Sequence, residues 1–356
     1  MEIVSRPTGL PKTESANPLS IRLLSDEWND RWDTLAGKCP GSGFMQSSSW
    51  ARFKRVEGYG HWLIGLFDND ELIGGTSLFQ YVGLEGSGMV VCPEGPVLPW
   101  SNHVLARQGL KLIIEESRRL TAGTGEIGLR IEPHLPPPAP SLLRKWVRAP
   151  VDLTPVDTII VDVTRTDSEI LGAMQPKARY NLGLSMKHGV RVIRSTDPKD
   201  IQLFYPLLLE TSSRSGFFSE PYGFFINYAD TLLPSKASVL YLAEWQGEIL
   251  ASILVFFFGS RATYLYGAST RDNRHVMPTY ALHWAAIQET RDRGCLEYDL
   301  YGYDPFGHPD HLYAGISQFK RQWGGKPREY IGARDFIFYD RLAERIVERA
   351  AADGHI

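Results

Sequence analysis

Cysteine is scarce in this chain, and the few cysteines lie far apart. The 356 residues include three cysteines, Cys39, Cys92 and Cys295, without a Cys-x-x-Cys pair. This spacing excludes a disulfide framework and a cysteine-rich zinc site, and it is typical of reduced intracellular thiols. The histidines also lack ligand spacing such as His-Glu-x-x-His, so we expect no metal site.

Long apolar runs and an excess of one charge are missing as well. The longest apolar run, residues 249–259, is much shorter than the ~20 residues that cross a bilayer as a helix, so we interpret it as a buried strand. The formal net charge is −3, which excludes a surface that is basic throughout. Any contact with nucleic acid must therefore be a local patch. Residues 1–20 are polar, and we predict a disordered leader and a cytoplasmic protein.

Helical and strand periodicities alternate along the rest of the chain, and the alternation repeats. Each half begins with helices, continues with an antiparallel meander, and ends with a helix and a strand. Five prolines fall within residues 133–140, which predicts a stiff extended connector. We therefore predict two similar α/β units that meet at a cleft, residues 21–155 completed by 332–356, and residues 156–331.

The patterns also predict single elements. Helices are expected over residues 28–35, 50–56, 104–121, 168–187 with an interruption near Pro176, 200–213, 224–233 and 280–293. Strands are expected over residues 62–67, 72–81, 88–91, 127–131, 158–163, 190–193, 239–244, 249–258, 263–266 and 296–300. We interpret residues 319–325, in which aromatic and basic residues precede two glycines, as a loop after the last strand.

Lys320 lies in this aromatic and basic segment. A lysine that is flanked by aromatic side chains and followed by permissive glycines can place one positive charge in a cleft. Such a charge suits an anionic substrate or a developing oxyanion. Lys320 is therefore our first candidate for a catalytic residue.

The order of elements in each half is that of an N-acyltransferase, which invites a search for a coenzyme A site. That site needs a glycine-rich turn whose N–H groups hold a pyrophosphate at a helix N-terminus. Residues 271–278 and residues 100–103, which occupy the corresponding turns, contain no glycine. We expect the coenzyme A site to be lost.

Motifs along residues 40–335 resemble, in their order, the Fem family of aminoacyl-tRNA-dependent transferases, which build the interpeptide bridges of peptidoglycan. The matching motifs are Gln46-Ser47 through Trp50 to Lys54, Gly95-Pro96-Val97, Lys177-Ala178-Arg179-Tyr180-Asn181, Lys187-His188-Gly189-Val190, Tyr266-Gly267-Ala268-Ser269, Tyr298-Asp299-Leu300-Tyr301-Gly302, and Phe319-Lys320 through Gly324-Gly325. The resemblance implies two tandem GNAT-like domains, that is, acyl-CoA N-acyltransferase-like domains, with mixed sheets flanked by helices. It places a muropeptide precursor in the cleft between them.

The resemblance also implies a reaction and its participants. An aminoacyl-tRNA would donate an amino acid to an amine of the stem peptide of a UDP-linked or lipid-linked precursor, with transient contact to the membrane surface and with neither metal nor organic cofactor. Lys320 would face the reacting ester. The residues that would bind the precursor are Lys54, Arg214, Tyr266 and Trp50. The residues that would contact tRNA are Arg179, Lys187 and Arg191.

Two departures from the family and several alternatives stay open. Gly183 stands where the family often has an arginine, and the long helical-hairpin arm of some members is absent, which favours the shorter members that add the first bridge residue. Other readings are the same chemistry on another peptide or natural-product amine, an acyl-CoA N-acyltransferase, and a non-catalytic protein that binds muropeptide or RNA. Asp304 and Asp310 are candidates for a general base only by position.

Overall fold

The computed structural model describes residues 19–80, 88–216, 218–311 and 313–342. Its strands are β1 (Ser20–Leu23), β2 (Gly60–Asp68), β3 (Glu71–Gln80), β4 (Met89–Pro93), β5 (Gly128–Glu132), β6 (Val147–Arg148), β7 (Asp157–Asp162), β8 (Arg191–Ser195), β9 (Ser238–Trp245), β10 (Glu248–Phe258), β11 (Arg261–Ser269), β12 (Glu297–Gly302), β13 (Lys326–Glu329) and β14 (Arg334–Ile337). Its helices are α1 (Asn29–Ala36), α2 (Ser48–Val56), α3 (His103–Leu120), α4 (Asp167–Ala173), α5 (Pro176–Lys187), α6 (Ile201–Ser215), α7 (Tyr222–Leu232), α8 (Pro278–Asp292) and α9 (Ala314–Lys320). Most of the predicted leader, residues 1–18, lies outside the described residues, and Ser20 already begins β1.

Two mixed sheets form the framework, and they follow the same plan. The first sheet has the order β1-β2-β3-β4-β5-β14-β6, and the second, read in reverse, has the order β8-β9-β10-β11-β12-β7-β13. In each sheet the first four strands form an antiparallel meander, and a helix, α3 or α8, then leads to a parallel neighbour. This arrangement confirms the prediction of two similar mixed α/β units.

One strand of the first sheet, β14, follows the second unit in the sequence. β14 comes late in the chain, yet it pairs with β5 and β6 in the first sheet. β7 occupies the matching place in the second sheet, where it pairs with β12 and β13. The chain thus enters the second sheet and finally returns to the first. We keep the domain limits of 21–155 with 332–356, and 156–331, as a proposal.

An aromatic cluster connects the two units. Phe44, Trp50 and Phe53 of the first unit pack with Tyr228 and Phe256 of the second, all of them buried. The ring centroids of Phe44 and Phe256 are 4.9 Å apart. Aromatic side chains bury large apolar areas, and this packing holds α2 against α7 and β10. The side chains along one edge of this contact form the candidate site.

The segment around Lys320 differs from the prediction. Residues 314–320 form helix α9 and residues 321–323 a single 3₁₀ turn, so the loop predicted for 319–325 is wrong over most of its length. The hydroxyl of Ser317 donates to the carbonyl of Tyr313 at 2.6 Å and accepts from the Asp304 N–H at 2.7 Å. Gly324 then ends the helical segment with a φ of 71°. Contacts with the preceding loop therefore stabilise a helix that local sequence did not indicate.

Candidate active site

Strands β11 and β12 separate in the middle of the second sheet, and Lys320 lies where they part. Their parallel pairing runs from Arg261 opposite Glu297 to Thr263 opposite Asp299 and ends there. Lys320 is the last residue of α9, and its Nζ donates to the carbonyl of Gly302, near the end of β12, at 2.6 Å. The ammonium group is thus held at the opening between the two strands.

The surroundings of Lys320 disfavour its charged form. The side chain is 4% exposed, and Nζ lies 5.5 Å from the ring centroids of Tyr264 and Tyr313. Burial lowers the pKa of Lys320 to about 7, although the Asp299 carboxylate opposes the shift. Asp299 is itself engaged, since it accepts hydrogen bonds from the Thr158 hydroxyl and from the Tyr301 N–H. Lys320 is therefore a weakly solvated cation that an approaching negative charge would stabilise.

His283 and one carboxylate oxygen of Asp304 have structural partners, whereas Asp304 Oδ2 is buried without one among the described residues. His283 is buried, its Nδ1 is 2.8 Å from the Tyr298 hydroxyl, and burial with the nearby Lys320 charge lowers its pKa to about 3. Asp304 is buried as well, and its Oδ1 accepts from the N–H of Phe306 at 2.9 Å, which forms a tight turn. Asp310 is exposed. None of these contacts marks a general base, and the roles suggested for Asp304 and Asp310 stay predictions.

A bulge in β11 sends two tyrosines to opposite faces of the second sheet. Leu254 of β10 pairs with Tyr266, but the next residue, Val255, pairs with Tyr264. Alternation along a regular strand would put residues 264 and 266 on one face. Instead Tyr264 packs on His283 and Tyr266 packs on the α7 side. The bulge therefore lets one strand line both the Lys320 pocket and the cleft between the units.

Tyr266 and Lys54 share this cleft. The Tyr266 ring lies 5.1 Å from that of Phe225, and burial followed by the Glu220 and Glu57 charges raises its pKa. Lys54, on α2, places its Nζ 3.6 Å from the centroid of the Tyr59 ring. Burial lowers the pKa of Lys54 to about 8, while the same two glutamates oppose the shift. The protonated phenol of Tyr266 and the partly buried ammonium of Lys54 can therefore act as hydrogen-bond donors on the two sides of the cleft.

Arg214 lies at the C-terminal end of α6. Its guanidinium donates to the Ser269 carbonyl at 3.1 Å, and Glu210 is 4.0 Å away. Burial, and then repulsion from Arg274 and Arg271, lowers its pKa. Three arginines therefore crowd the loop that follows β11. Such a concentration of guanidinium groups favours a phosphate or carboxylate ligand.

The other predicted residues occupy different surroundings. Trp50 is buried in the aromatic cluster between the units. Arg179 is exposed and donates to the carbonyls of Leu171, Gly172 and Met174, at the end of α4. Arg191 pairs with Glu244 at 2.7 Å. Lys187, in the last turn of α5, is exposed and has no ion-pair partner among the described residues.

Sequence reasoning missed several residues of the site. They are Glu57, Glu220, Tyr264, Asp299, Tyr301 and Tyr313. Three of them, Tyr264, Asp299 and Tyr301, lie within or close to motifs that were noticed, at 266–269 and 298–302, and closer attention to the aromatic and acidic residues there could have found them. The two glutamates and Tyr313 carry no local signal, because only tertiary packing brings them to the cleft.

Comparison with known proteins now places the chain in a family. The model of the FemAB family matches residues 29–134 and 244–341, which together make up more than half of the chain. The chain belongs to the FemAB family. The lipid II:glycine glycyltransferase of Staphylococcus epidermidis is 21% identical over 88% of this chain and 92% of its own length. The protein of the same name from Staphylococcus aureus is also 21% identical, over 89% and 93%.

Solved structures agree with this assignment of the fold. A crystal structure of FemX superposes on this FemAB protein with a TM-score of 0.80 and 20% identity, over 92% of this chain and 99% of that one. A tandem GNAT protein from the clavulanic acid pathway gives a TM-score of 0.51 at 12% identity, over 90% and 98%. The predicted family and the tandem GNAT-like fold are confirmed, and so is the prediction of an aminoacyltransferase enzyme.

The described residues contain neither a candidate membrane-spanning helix nor a candidate metal site. Within the described ranges, no helix has the length and apolar character needed to cross a membrane. In the same part of the chain, no three histidine, cysteine or acidic side chains are grouped so that they could hold a metal ion.

Proposed function

We propose that this FemAB protein transfers an amino acid from aminoacyl-tRNA to an amine in the stem peptide of a peptidoglycan precursor. The observation that carries the proposal is the buried Lys320 at the opening between β11 and β12, whose burial lowers its pKa to about 7. The relatives named lipid II:glycine glycyltransferase support the acceptor class. Because the donor is a charged tRNA, the reaction belongs in the cytoplasm.

The transfer needs little more than alignment and charge stabilisation. The neutral acceptor amine attacks the ester carbonyl of the aminoacyl group, a C–N bond forms, and the carbonyl oxygen becomes an oxyanion. Lys320 in its protonated form stabilises this oxyanion, and the developing charge raises the affinity of Lys320 for its proton. When the intermediate collapses, the C–O bond to the terminal ribose breaks, and the proton lost by the amine goes to that ribose oxygen.

The precursor would lie in the cleft between the units. Its phosphates would meet Arg214 with Arg271 and Arg274, and its peptide would extend past Tyr266 toward Lys320. Lys54 would bind from the α2 side. Trp50 would support that side from the buried cluster. UDP-linked and lipid-linked precursors both carry a pyrophosphate, so these contacts suit either form. The lipid-linked form would require the protein to approach the membrane surface.

The tRNA would bind through a local basic patch on the outer side of the second unit. Within this patch Lys187 has no ion-pair partner among the described residues, whereas Arg191 is paired with Glu244 and Arg179 donates to carbonyls at the end of α4. A paired arginine can still contact phosphate, because an exposed ion pair is worth about 1 kcal/mol or less. The patch is small, as the net charge of −3 requires.

The structure also bears on the acyl-CoA alternative. The first N–H groups of α3 are occupied, since the Asn102 side chain accepts from Val104 and Leu105 at 3.2 Å each. Helix α8 begins with Pro278, which has no N–H, and the preceding Val276 is fully buried. The start of α3 is thus capped by its own side chain and the start of α8 lacks one N–H, so both offer a pyrophosphate fewer amides than a glycine-rich turn does. This favours aminoacyl-tRNA as the donor.

The test is transfer of labelled amino acids from a total charged-tRNA pool to UDP-linked and lipid-linked muropeptide in parallel. We expect ribonuclease-sensitive labelling that falls at least tenfold, or about 1.4 kcal/mol, in Lys320→Ala. Lys199→Ala, at an exposed lysine, is the matched control. Absence of labelling with both acceptors, or equal labelling by the Lys320 variant, would contradict the proposal.

A further inference from the structure

A cavity lies between the two units, and Thr263 and Asp299, where β11 and β12 part, are among its lining residues. It encloses about 680 Å³ and is lined by residues of both units, among them Lys38, Phe44, Glu94, His134, Phe258 and Arg261. This volume is within the range of about 300–1,000 Å³ that is typical of small-molecule sites. The reaction proposed above makes no use of it.

The deep end of this cavity holds a carboxylate oxygen without a partner. Glu94 is fully buried, and its Oε2 accepts from the Met45 N–H at 2.9 Å. Its Oε1 has no hydrogen-bond partner among the described residues. The nearest ring nitrogen, His134 Nε2, is 3.7 Å away, which is too far for a hydrogen bond. A buried acceptor without a hydrogen bond costs about 1–3 kcal/mol of stability. A ligand in the cavity that donates a hydrogen bond to Oε1 would remove this cost.

Arg261, the guanidinium next to Glu94, is committed elsewhere. Arg261 donates to Glu297 at 3.0 Å, to the Tyr330 hydroxyl at 3.2 Å, and to His134 Nδ1 at 3.2 Å. Burial, followed by the Arg261 charge, lowers the pKa of His134 well below its usual value, so the ring is neutral. At these distances no side chain of the described residues donates to Glu94 Oε1, although the Ser42 hydroxyl and the His134 Nε2–H lie on the same cavity.

The charges around Glu94 select a cation. Its neighbours are the Arg261 guanidinium, which is already paired, and the carboxylates of Asp299 and Glu132. An anion would meet three carboxyl groups and no free cation at this depth. A hydroxyl ligand would bind the protonated form of Glu94 without releasing its proton, which distinguishes it from an amine. A protonated amine supplies both the N–H donor and the positive charge.

From the unpartnered Glu94 oxygen, the surrounding carboxylates and the cavity between the units, we infer that this cavity binds a small organic molecule through its protonated primary amine. The ammonium group donates to Glu94 Oε1, and the apolar part of the molecule packs against Phe44 and Phe258. Gly43 packs directly against the Glu94 carboxylate, and a side chain at this position would clash, because its Cβ would lie 2.2 Å from Glu94 Oε2. The inference does not depend on the proposed function.

Binding must also release a proton. Burial raises the pKa of Glu94 to about 8, with the Met45 N–H and Arg261 opposing the shift. At pH 7 a group of that pKa is about 90% protonated, and a bound ammonium requires its ionised form. Each binding event should therefore release about 0.9 proton at pH 7.

The test is isothermal titration calorimetry of the full chain with butylammonium chloride at pH 7, in phosphate and in imidazole buffer. We expect saturable binding whose enthalpy differs between the buffers by the ionisation of about 0.9 proton. Butanol and butyrate, which have the same apolar part, should bind at least tenfold more weakly. Glu94→Gln should lose at least tenfold in affinity, whereas Glu248→Gln, at an exposed position, should bind as the native protein does.

Three results would overturn the inference. They are absence of saturable butylammonium binding to the native protein, equal binding of butanol, and unchanged binding by a folded Glu94→Gln variant. The proton release is measured on the native protein, so the inference can be tested even if the Glu94 variant does not fold.

Discussion

The Nζ of Lys320 donates a hydrogen bond of 2.6 Å to the carbonyl of Gly302, which ties the end of α9 to the end of β12. This contact fixes the Lys320 ammonium at the opening between β11 and β12, and among the described residues Lys320 forms no salt bridge with a carboxylate. A carbonyl oxygen orients the ammonium but neutralises none of its charge. The position is therefore suited to charge stabilisation, and its protonation state should control the reaction.

The pH dependence of transfer should reveal this control. Burial lowers the pKa of Lys320 to about 7, so the protonated form is lost as the pH rises through 7. We expect kcat/KM to show a falling limb near pH 7, because this ratio reports the groups of the free enzyme. Lys320→Arg keeps its charge at every accessible pH, and its residual activity should lack the limb. A limb near pH 7 in the arginine variant would assign the titration to another group.

Replacing Lys320 should lower the activity but raise the stability of the protein. The unfolded lysine, with a pKa of 10.5, holds its proton between about pH 7 and 10.5, whereas the folded one has released it. Unfolding therefore takes up a proton in this window, and the contribution of Lys320 to the unfolding free energy rises with pH there. At pH 7 Lys320→Met should be more stable than the native protein, with a smaller rise at higher pH. Urea unfolding at pH 7 and pH 9.5, with Lys199→Met as the exposed control, measures both.

Much of this architecture was accessible from sequence because its long elements carry clear periodicity. The β9–β10–β11 meander and the α8 crossover were predicted within a few residues, and so was the helix of Lys54, whose N-cap Ser47 accepts from the Trp50 N–H. Apolar alternation and helix caps are local signals, so they can be recognised in the sequence without knowledge of the tertiary structure.

The parts that were missed depend on tertiary contacts. β6, β13 and β14 have two to four residues each, too few to show a period, and their pairing with distant strands defines them. The bulge at Leu265 inverts the faces that simple alternation assigns to its neighbours. Glu94 follows the same rule, because only the fold brings His134 and Arg261 to it.

Lys54 should act in binding and not in chemistry. It lies on α2 near Tyr59, and the cleft residue Tyr266 is affected by the same glutamates. We expect Lys54→Ala to raise KM for the muropeptide about tenfold, or ~1.4 kcal/mol, with little change in kcat. Arg52→Ala, an exposed position on the same helix, is the control. A fall in kcat at unchanged KM would instead place Lys54 near the reacting atoms.

The basic residues of α5 and β8 should separate into one tRNA contact, one weaker contact and one structural residue. Lys187→Ala should lower the slope of log K against log salt by about 0.7–0.9, the value for one phosphate contact, and Arg191→Ala by less because Glu244 competes for it. Arg179→Ala should cost about 1 kcal/mol of stability, since it removes the donor to the end of α4. Filter binding across a salt series and urea unfolding distinguish these outcomes. If the slope of log K against log salt is unchanged in Lys187→Ala, Lys187 does not contact a tRNA phosphate, and this patch is not the tRNA site.

Glu94 should give the folded protein a pH dependence of its own. Burial raises its pKa from 4.5 to about 8, so between these values the folded state holds a proton that the unfolded state has lost. Its contribution to stability is therefore complete below about pH 4.5 and declines as the pH rises toward 8. Subtracting the unfolding free energy of Glu94→Gln from that of the native protein at pH 5.5, 7 and 8.5 isolates this contribution, because the other buried groups are common to both. We expect the difference to fall steadily with pH and to stay flat for Glu248→Gln. A difference that rises with pH would mean that Glu94 is ionised in the folded protein, held by a charge partner at its free oxygen.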